Sequence, residues 1–318
     1  MTLPIAQDPD RLRTALDQLA GLAFTKGHGT GNDFILVPDL SGETELAPNH
    51  VEALCDRHFG VGADGLIRVV ESTHLIEGRD LLEGHPEATW FMDYRNADGS
   101  VSEMCGNGVR VFVHYLATRG LVDLEVGQQV RIGTRAGVRT VTRIGEEQYS
   151  TDMGPWSYID PELAEERASD SLVLAAGLAD PRPALSISMG NPHTVVALAE
   201  DADLADLDLA KQPNVEPVPP NGTNVEFVVA ADPLFLNGVG RLDLRVHERG
   251  VGETLSCGTG ACAAATAVRI WAGDRDALTW EVGVPGGTVG VEFLPQADGT
   301  ERVILSGPAT LVSDGTVA

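Results

Sequence analysis

Met104-Cys105-Gly106-Asn107-Gly108-Val109-Arg110, and again Ser256-Cys257-Gly258-Thr259-Gly260-Ala261-Cys262, set a cysteine before a Gly-x-Gly and then run into apolar sequence, Val109 to Ala117 and Ala261 to Ala272. Both runs are apolar on nearly every face of a helix, the pattern of a buried helix and not of a surface amphipath. Each cysteine therefore stands at a predicted helix N-terminus. Unpaired N–H groups and partial positive charge gather there, attract anions and lower a thiol's pKa. Short strands surround each run. The pattern predicts an α+β protein of two pseudo-symmetric domains, each a curved barrel-like sheet around a buried central helix.

Reading outward, residues 1–20 suggest a short helical extension. Leu22–Phe24 and Phe34–Val37 read as strands about a glycine turn, and Asn49–His58 as a helix capped by Asn49. Leu66–Val70 and Thr89–Tyr94 read as strands, with polar Glu71–Ala88 between them as an inserted loop or hairpin. Strands near 129–132 and 137–143 close the first half. The second half repeats the plan, with strands near 185–188, 194–198, 224–230 and 241–247, then the second Cys-Gly helix, then strands near 279–283, 289–293 and 302–305. Ala202–Ala210 reads as a helix, and Gln212–Asn221, with four prolines, as a loop. The expected boundaries are 1–149 for the domain carrying Cys105 and 150–303 for the one carrying Cys257, with 304–318 returning as a strand to the first.

The totals exclude several classes. A net charge of −25 is wrong for nucleic acid, which needs clustered Lys and Arg, and for an anionic membrane surface. No stretch approaches the roughly 18 apolar residues of a membrane span. The N-terminal sequence lacks a basic start followed by an apolar core, so a cytoplasmic protein with reduced thiols is expected. Cys55, Cys105, Cys257 and Cys262 form no C-x-x-C, so no metal is expected. The two lysines, Lys26 and Lys211, have no setting for a Schiff base. Amino-acid chemistry here would be cofactor-free. Gly27–Phe34 looks phosphate-binding, but it opens a strand where a dinucleotide loop would open a helix.

Removing an α-proton from an amino acid needs a placed base and strong stabilisation of the developing charge. A thiolate can be that base, and a second cysteine held as a thiol can reprotonate from the other face. The glycines let a carboxylate reach the N–H groups of Gly106, Asn107, Gly258 and Thr259. Asn96 and Glu248 each lie nine residues before their cysteines. Glu248 can take an ammonium and Arg249 a carboxylate. Asn191, in Gly190-Asn191-Pro192-His193, and Asn224 add amides. Taken alone, Glu248–Arg249 also reads as a surface ion pair, the two asparagines as turn residues, and Cys55 and Cys262 as core.

With these residues collected, the chain resembles the diaminopimelate epimerases, cofactor-independent amino-acid epimerases, from about Phe24 to Leu311. The resemblance rests on HGTGNDF (28–34), DRHFGVGADG (56–65), NADGS (96–100), MCGNGVR (104–110), GNPH (190–193), TNVEF (223–227) and ERGVGETLSCGTGACAA (248–264). It implies Cys105 and Cys257 as the catalytic acid/base pair. It implies Asn96, Asn191, Asn224, Glu248 and Arg249 on the distal end of a small-molecule substrate, diaminopimelate, and Asn32 at the reacting end. The implied reaction interconverts the LL and meso forms, feeding lysine and peptidoglycan synthesis. Family members often pair as homodimers. The chain departs from compact members in residues 1–20 and Glu71–Ala88, and it carries Gly65 where some members have glutamine. Three rivals remain open at this point. They are a same-fold racemase for another amino acid, a thiol redox switch, and a non-catalytic amino-acid binder.

Overall fold

The computed structural model describes residues 9–318, which divide into two units. The first holds residues up to 29, 33–147 and 309–318. Its elements are α1 (Pro9–Asp17), β1 (Ala23–Gly29), β2 (Asn32–Pro38), α2 (Pro48–Cys55), β3 (Gly65–Glu71), α3 (Ile76–Gly84), β4 (Trp90–Asn96), α4 (Gly106–Thr118), β5 (Gln129–Thr134) and β6 (Gly137–Arg143). The sheet runs from the C-terminal strand Thr310–Thr316 through β1, β2, β3, β4 and β5 to β6, with β2–β3 and β4–β5 parallel. It curves around α4, which packs on β1, β3, β4, β6 and the C-terminal strand. From Gly106 to Leu116 every residue of α4 is buried, as an apolar helix requires.

The second unit holds residues 30–32 and 148–308. Its elements are β7 (Gln148–Pro155), β8 (Ser157–Tyr158), α5 (Pro161–Arg167), β9 (Ser171–Leu174), β10 (Arg182–Ser188), β11 (Pro192–Leu198), α6 (Asp201–Ala205), β12 (Asn214–Glu216), β13 (Asn224–Leu236), β14 (Val239–Glu248), β15 (Gly252–Thr254), α7 (Gly258–Ala272), β16 (Thr279–Val284), β17 (Gly287–Pro295) and β18 (Glu301–Pro308). The strand order is β7-β18-β17-β16-β14-β13-β11-β10-β9-β12, with β8 added to β10 and β15 to β14. The central helix α7 touches β10, β11, β13, β14, β16, β17 and β18. Its alanines permit that closeness: Ala261, Ala263, Ala264, Ala265 and Ala267 are fully buried, as is Cys262.

The two-fold repeat of a curved sheet on a buried helix is what the paired motifs predict. Neither sheet closes among the described residues, however, so "barrel" overstates the curvature. Four local expectations are corrected. The second helix is capped at Ala47, with Pro48 at its first position, so Asn49 lies inside it; proline at N1 loses an N–H that has no partner anyway. Glu71–Ala88 is neither loop nor hairpin but a 3₁₀ turn and α3. The buried Ser72 hydroxyl pins its two ends by donating to the Ala88 carbonyl at 2.5 Å. The helix after Asp201 stops at Ala205, four residues past its start. The proline-rich loop contributes the short strand β12, which pairs with β9. Of the N-terminal extension, residues 9–17 are helical, and the part before Pro9 lies outside the described residues.

One ion cluster ties HGTGNDF to DRHFGVGADG in the first unit. Asp33 pairs with Lys26 at 2.7 Å and with Arg57 at 2.8 Å, and it accepts from the Asp64 N–H at 2.9 Å. Arg57 also reaches Asp64 at 2.7 Å. Burial by itself would raise the Asp33 carboxyl, but hydrogen bonds from Arg57 and Lys26, and their charges, hold it at about 2 instead of 3.8. Since the folded value lies below the unfolded one, Asp33 stabilises the fold by roughly 2 kcal/mol above its unfolded pKa, and this is lost as pH falls towards 2. Asp33→Asn should flatten the acid limb of a melting-temperature profile over that window. Superimposable acid limbs for variant and wild type would rule the cluster out as an acid-labile brace.

Candidate active site: two cysteine-capped helices

In the first unit Cys105 is the N-cap of α4, with extended backbone (φ −139°, ψ 123°). Its Sγ accepts from the Gly108 N–H at 3.4 Å, a long bond to a weak acceptor. The fully buried Arg110 lies beneath the first turn. It donates to the Asn107 Oδ1 at 2.8 Å and to the Gly106 carbonyl at 3.2 Å, which locks both residues in place. Asn96 ends β4, half-buried, in a turn closed by Gly99 N–H to Asn96 O at 2.9 Å; its amide donates to the Ser100 hydroxyl at 3.0 Å. Asn96, Cys105, Gly106 and Asn107 thus all belong to this unit.

The second unit holds the rest. Cys257 caps α7 in the same extended conformation (φ −119°, ψ 113°) and is 6% exposed. Its Sγ lies 3.6 Å from the Thr259 hydroxyl. Asn191 donates to that hydroxyl at 3.5 Å, and its Oδ1 meets His193 Nε2 at 3.1 Å. His193 Nδ1 meets the Glu226 carboxylate at 2.6 Å, with both side chains fully buried. Beside this chain, Asn224 accepts from the Arg249 N–H at 3.0 Å and donates to the Pro192 carbonyl at 3.1 Å. The Arg249 guanidinium donates to the Asn221 carbonyl at 2.8 Å, and the Thr254 hydroxyl donates to Glu248. Parallel pairing of β11 with β13 sets His193 opposite Asn224. Asn32, 7% exposed, groups with this unit; so does Thr30, whose hydroxyl bonds Ser256 at 2.8 Å, next to Cys257.

Gly260 shows why the motif carries a second glycine. A Cβ there would lie 2.8 Å from the Glu226 carboxylate and 3.3 Å from Cys257 Sγ. Only a bare backbone lets both groups crowd the helix start. The expected depression of the thiol pKa is reversed at Cys257. Burial pushes this thiol well above its ordinary value, and the negative charges of Glu248 and Glu226 push it further. Hydrogen bonds from Thr259 and the Gly260 N–H pull it back only in part. A helix N-terminus is worth at most about 2 kcal/mol, too little against desolvation reinforced by two carboxylates. The balance at Cys257 favours the protonated thiol.

Sequence reasoning missed Glu226 and treated His193 as a turn residue. Glu226 stood inside the quoted TNVEF run, where the alternation Asn224, Glu226, Val228 puts a carboxylate on the buried face of a strand. A charge in that register was the available signal. Cys55 and Cys262 are core: Cys55 packs among Leu54, Ile35 and Leu66, and burial raises its thiol to about 12.

Comparison with known proteins places this arrangement. Solved structures share the fold. A phenazine-biosynthesis protein of the PhzF family from Bacillus anthracis matches with a TM-score of 0.65 at 16% identity over 93% of this chain and 99% of its own. A hydroxyproline epimerase from Agrobacterium vitis matches at 0.59 and 12% over 92% and 91%. The architecture is therefore that of the two-domain PhzF and epimerase fold. The diaminopimelate epimerase family model matches residues 24–159 and 185–312. The diaminopimelate epimerase of Streptomyces coelicolor is 41% identical over 92% of this chain and 94% of its own, and that of Thermobifida fusca 43% over 93% and 98%. The chain belongs to the diaminopimelate epimerase family.

Removing the Glu226 charge without changing its shape should make Cys257 more acidic. In a Cys105→Ser background, Glu226→Gln is expected to shift the pH profile of iodoacetamide alkylation at Cys257 to lower pH. An unshifted profile would mean that Glu226 does not bear on the thiol.

Proposed function

We infer that this protein is an isomerase that interconverts LL- and meso-diaminopimelate without a cofactor, in the supply of lysine and peptidoglycan precursors, and that it works in the cytoplasm. The observation that carries the reading is the repeated device: each unit buries an apolar helix and caps it with a cysteine. Membership of the family supports the substrate. Among the described residues no helix is long and apolar enough to cross a membrane, and the net charge of −25 disfavours nucleic acid.

In this scheme Cys105 and Cys257 are the two acid/base residues. One, as thiolate, takes the α-proton; the other, as thiol, delivers a proton to the opposite face. The high resting pKa of Cys257 suits a proton donor. The cysteines hold one transferable proton between them, so their titrations are coupled. The substrate's reacting carboxylate lies on the first-turn N–H groups of Gly106, Asn107, Gly258 and Thr259, which have no intrahelical acceptor. Asn32 contacts the reacting end. Asn96, Asn191, Asn224, Glu248 and Arg249 hold the distal amino-carboxylate, which is how a substrate with two amino-acid ends is told from one with an apolar ring. As family members often do, the protein pairs as a homodimer in this reading.

Incubation of reduced protein with LL-diaminopimelate in heavy water, followed by proton NMR, should show loss of the α-proton signal and appearance of the meso isomer. Absence of exchange from folded protein with free thiols would refute the substrate. Cys105→Ser and Cys257→Ser should each keep the fold and lose on the order of a hundredfold or more in turnover, the scale of one acid/base group. Near-normal turnover by either variant would exclude the two-base scheme.

A further inference from the structure

Cys105 reaches the start of α4 on a stretch of chain with little structure of its own. From Ala97 to Met104 there is no helix and no strand, apart from a single bridge between Arg95 and Val101. Asp98, Ser100, Val101 and Glu103 are exposed. A segment that buries so little does not fix its own path. Its position comes from the elements beside it.

Three backbone bonds supply that position. Asn96 N–H donates to the Ser100 carbonyl at 2.9 Å, Ser102 N–H to the Tyr94 carbonyl at 3.2 Å, and Ala136 N–H to the Glu103 carbonyl at 3.2 Å. The first two tie the segment to β4. The third hangs it, two residues before Cys105, from the tip of the β5–β6 hairpin. Thr134 pairs with Gly137, so Arg135 and Ala136 form that tip, and the Thr134 hydroxyl closes it by donating to the Gly137 carbonyl at 2.6 Å.

The tip needs an anchor on β4, because the β4–β5 ladder consists of Trp90–Ile132 and Phe91–Gly133 and stops short of it. Arg135 provides one. Its Nη2 donates to the fully buried Asp93 carboxylate at 2.7 Å, and its guanidinium lies 5.6 Å from the Phe91 ring centroid. Its Nη1 reaches the Tyr94 carbonyl oxygen at 3.5 Å, the same oxygen that accepts from Ser102. Burial alone would raise the Asp93 carboxyl. The Arg135 hydrogen bond, then the charges of Arg135, Arg95 and Arg68, hold it below the ordinary carboxylate range. The Arg135 side chain is itself largely buried, so solvent does not screen the pair as it would a surface one.

We propose that Arg135 is a positioning residue for Cys105: through Asp93 it fixes the β5–β6 tip on β4, and the tip holds the segment that sets the cysteine at the start of α4. The proposal rests on the epimerase reading above for the use made of that cysteine.

Iodoacetamide alkylation at one pH reads the cysteines separately, Cys105 in a Cys257→Ser background and Cys257 in a Cys105→Ser background. Turnover of LL-diaminopimelate is measured with both cysteines present, and melting temperatures alongside. Arg135→Met keeps bulk beside Phe91 and leaves Asp93 paired with Arg68 at 2.8 Å. Cys105 should then alkylate about threefold more slowly, as its sulfur loses alignment with the helix start. The kcat should fall about tenfold or more, and Cys257 alkylation should stay at the wild-type rate. Where Arg135→Met does not fold, Arg135→Lys takes its place: an ammonium keeps Asp93 paired but does not also reach the Tyr94 carbonyl, and the same selective slowing is expected. Cys105 alkylation at or above the wild-type rate in a folded variant overturns the proposal. Equal slowing at both cysteines overturns it too, because it marks a general loosening of the fold. A wild type inactive on diaminopimelate overturns the epimerase reading, while the alkylation rates still decide whether Arg135 positions Cys105.

Discussion

The first turn of a buried helix is the constraint on which each unit depends. A helix leaves its first N–H groups without intrahelical acceptors, and these lie where the surrounding sheet excludes water. The sequence places the least demanding of N-caps there. Sulfur accepts weakly, as the 3.4 Å contact from the Gly108 N–H to Cys105 shows. A Ser or Asp cap would accept from the first-turn N–H groups more firmly. The same cysteine is the group to which the proposed scheme assigns the proton transfer.

In the second unit the same device is set against itself. Glu226 and Glu248 bring negative charge to a helix start that favours it, and thereby make a nearby thiolate costly. Glu226 is fully buried, and its Oε2 has no partner among the described residues. Such an atom costs stability, and it persists beside the cysteine, where strain and unsatisfied charge are commonly kept for chemistry. The neutral thiol is the consequence. The proposed two-base scheme needs one sulfur protonated while the other is not, and at Cys257 the charges of buried Glu226 and half-buried Glu248 favour the protonated form.

What was legible from residues alone was what depends on local sequence. Two Cys-Gly-x-Gly runs before apolar helices gave the duplicated plan, the caps and the candidate cysteines, because helix periodicity and glycine spacing are local signals. The misreadings share a cause. Glu71–Ala88 looks like a loop because its helix is held by Ser72 reaching Ala88, a contact invisible in the intervening residues. The direction of the Cys257 shift was misread because desolvation and the Glu226 charge come from tertiary packing, while the helix-end effect is written in the motif. His193 and Glu226 lie 33 residues apart and meet only because β11 and β13 pair in parallel.

Sheet register bears on the glycines as well. Along a strand, function is attached to a residue number; across a sheet it is attached to a place, and several residues can reach it. Position 65 has no side chain, and the place one would occupy is filled from β4 by Tyr94, two residues from Asn96. A glycine in a pleated sheet therefore need not leave an empty place, because a side chain of the neighbouring strand can cover it. The same holds in the other unit, where Gly260 has no side chain so that Glu226 and Cys257 can approach one helix turn. In both, the residue that appears to do nothing sets which of its neighbours can act.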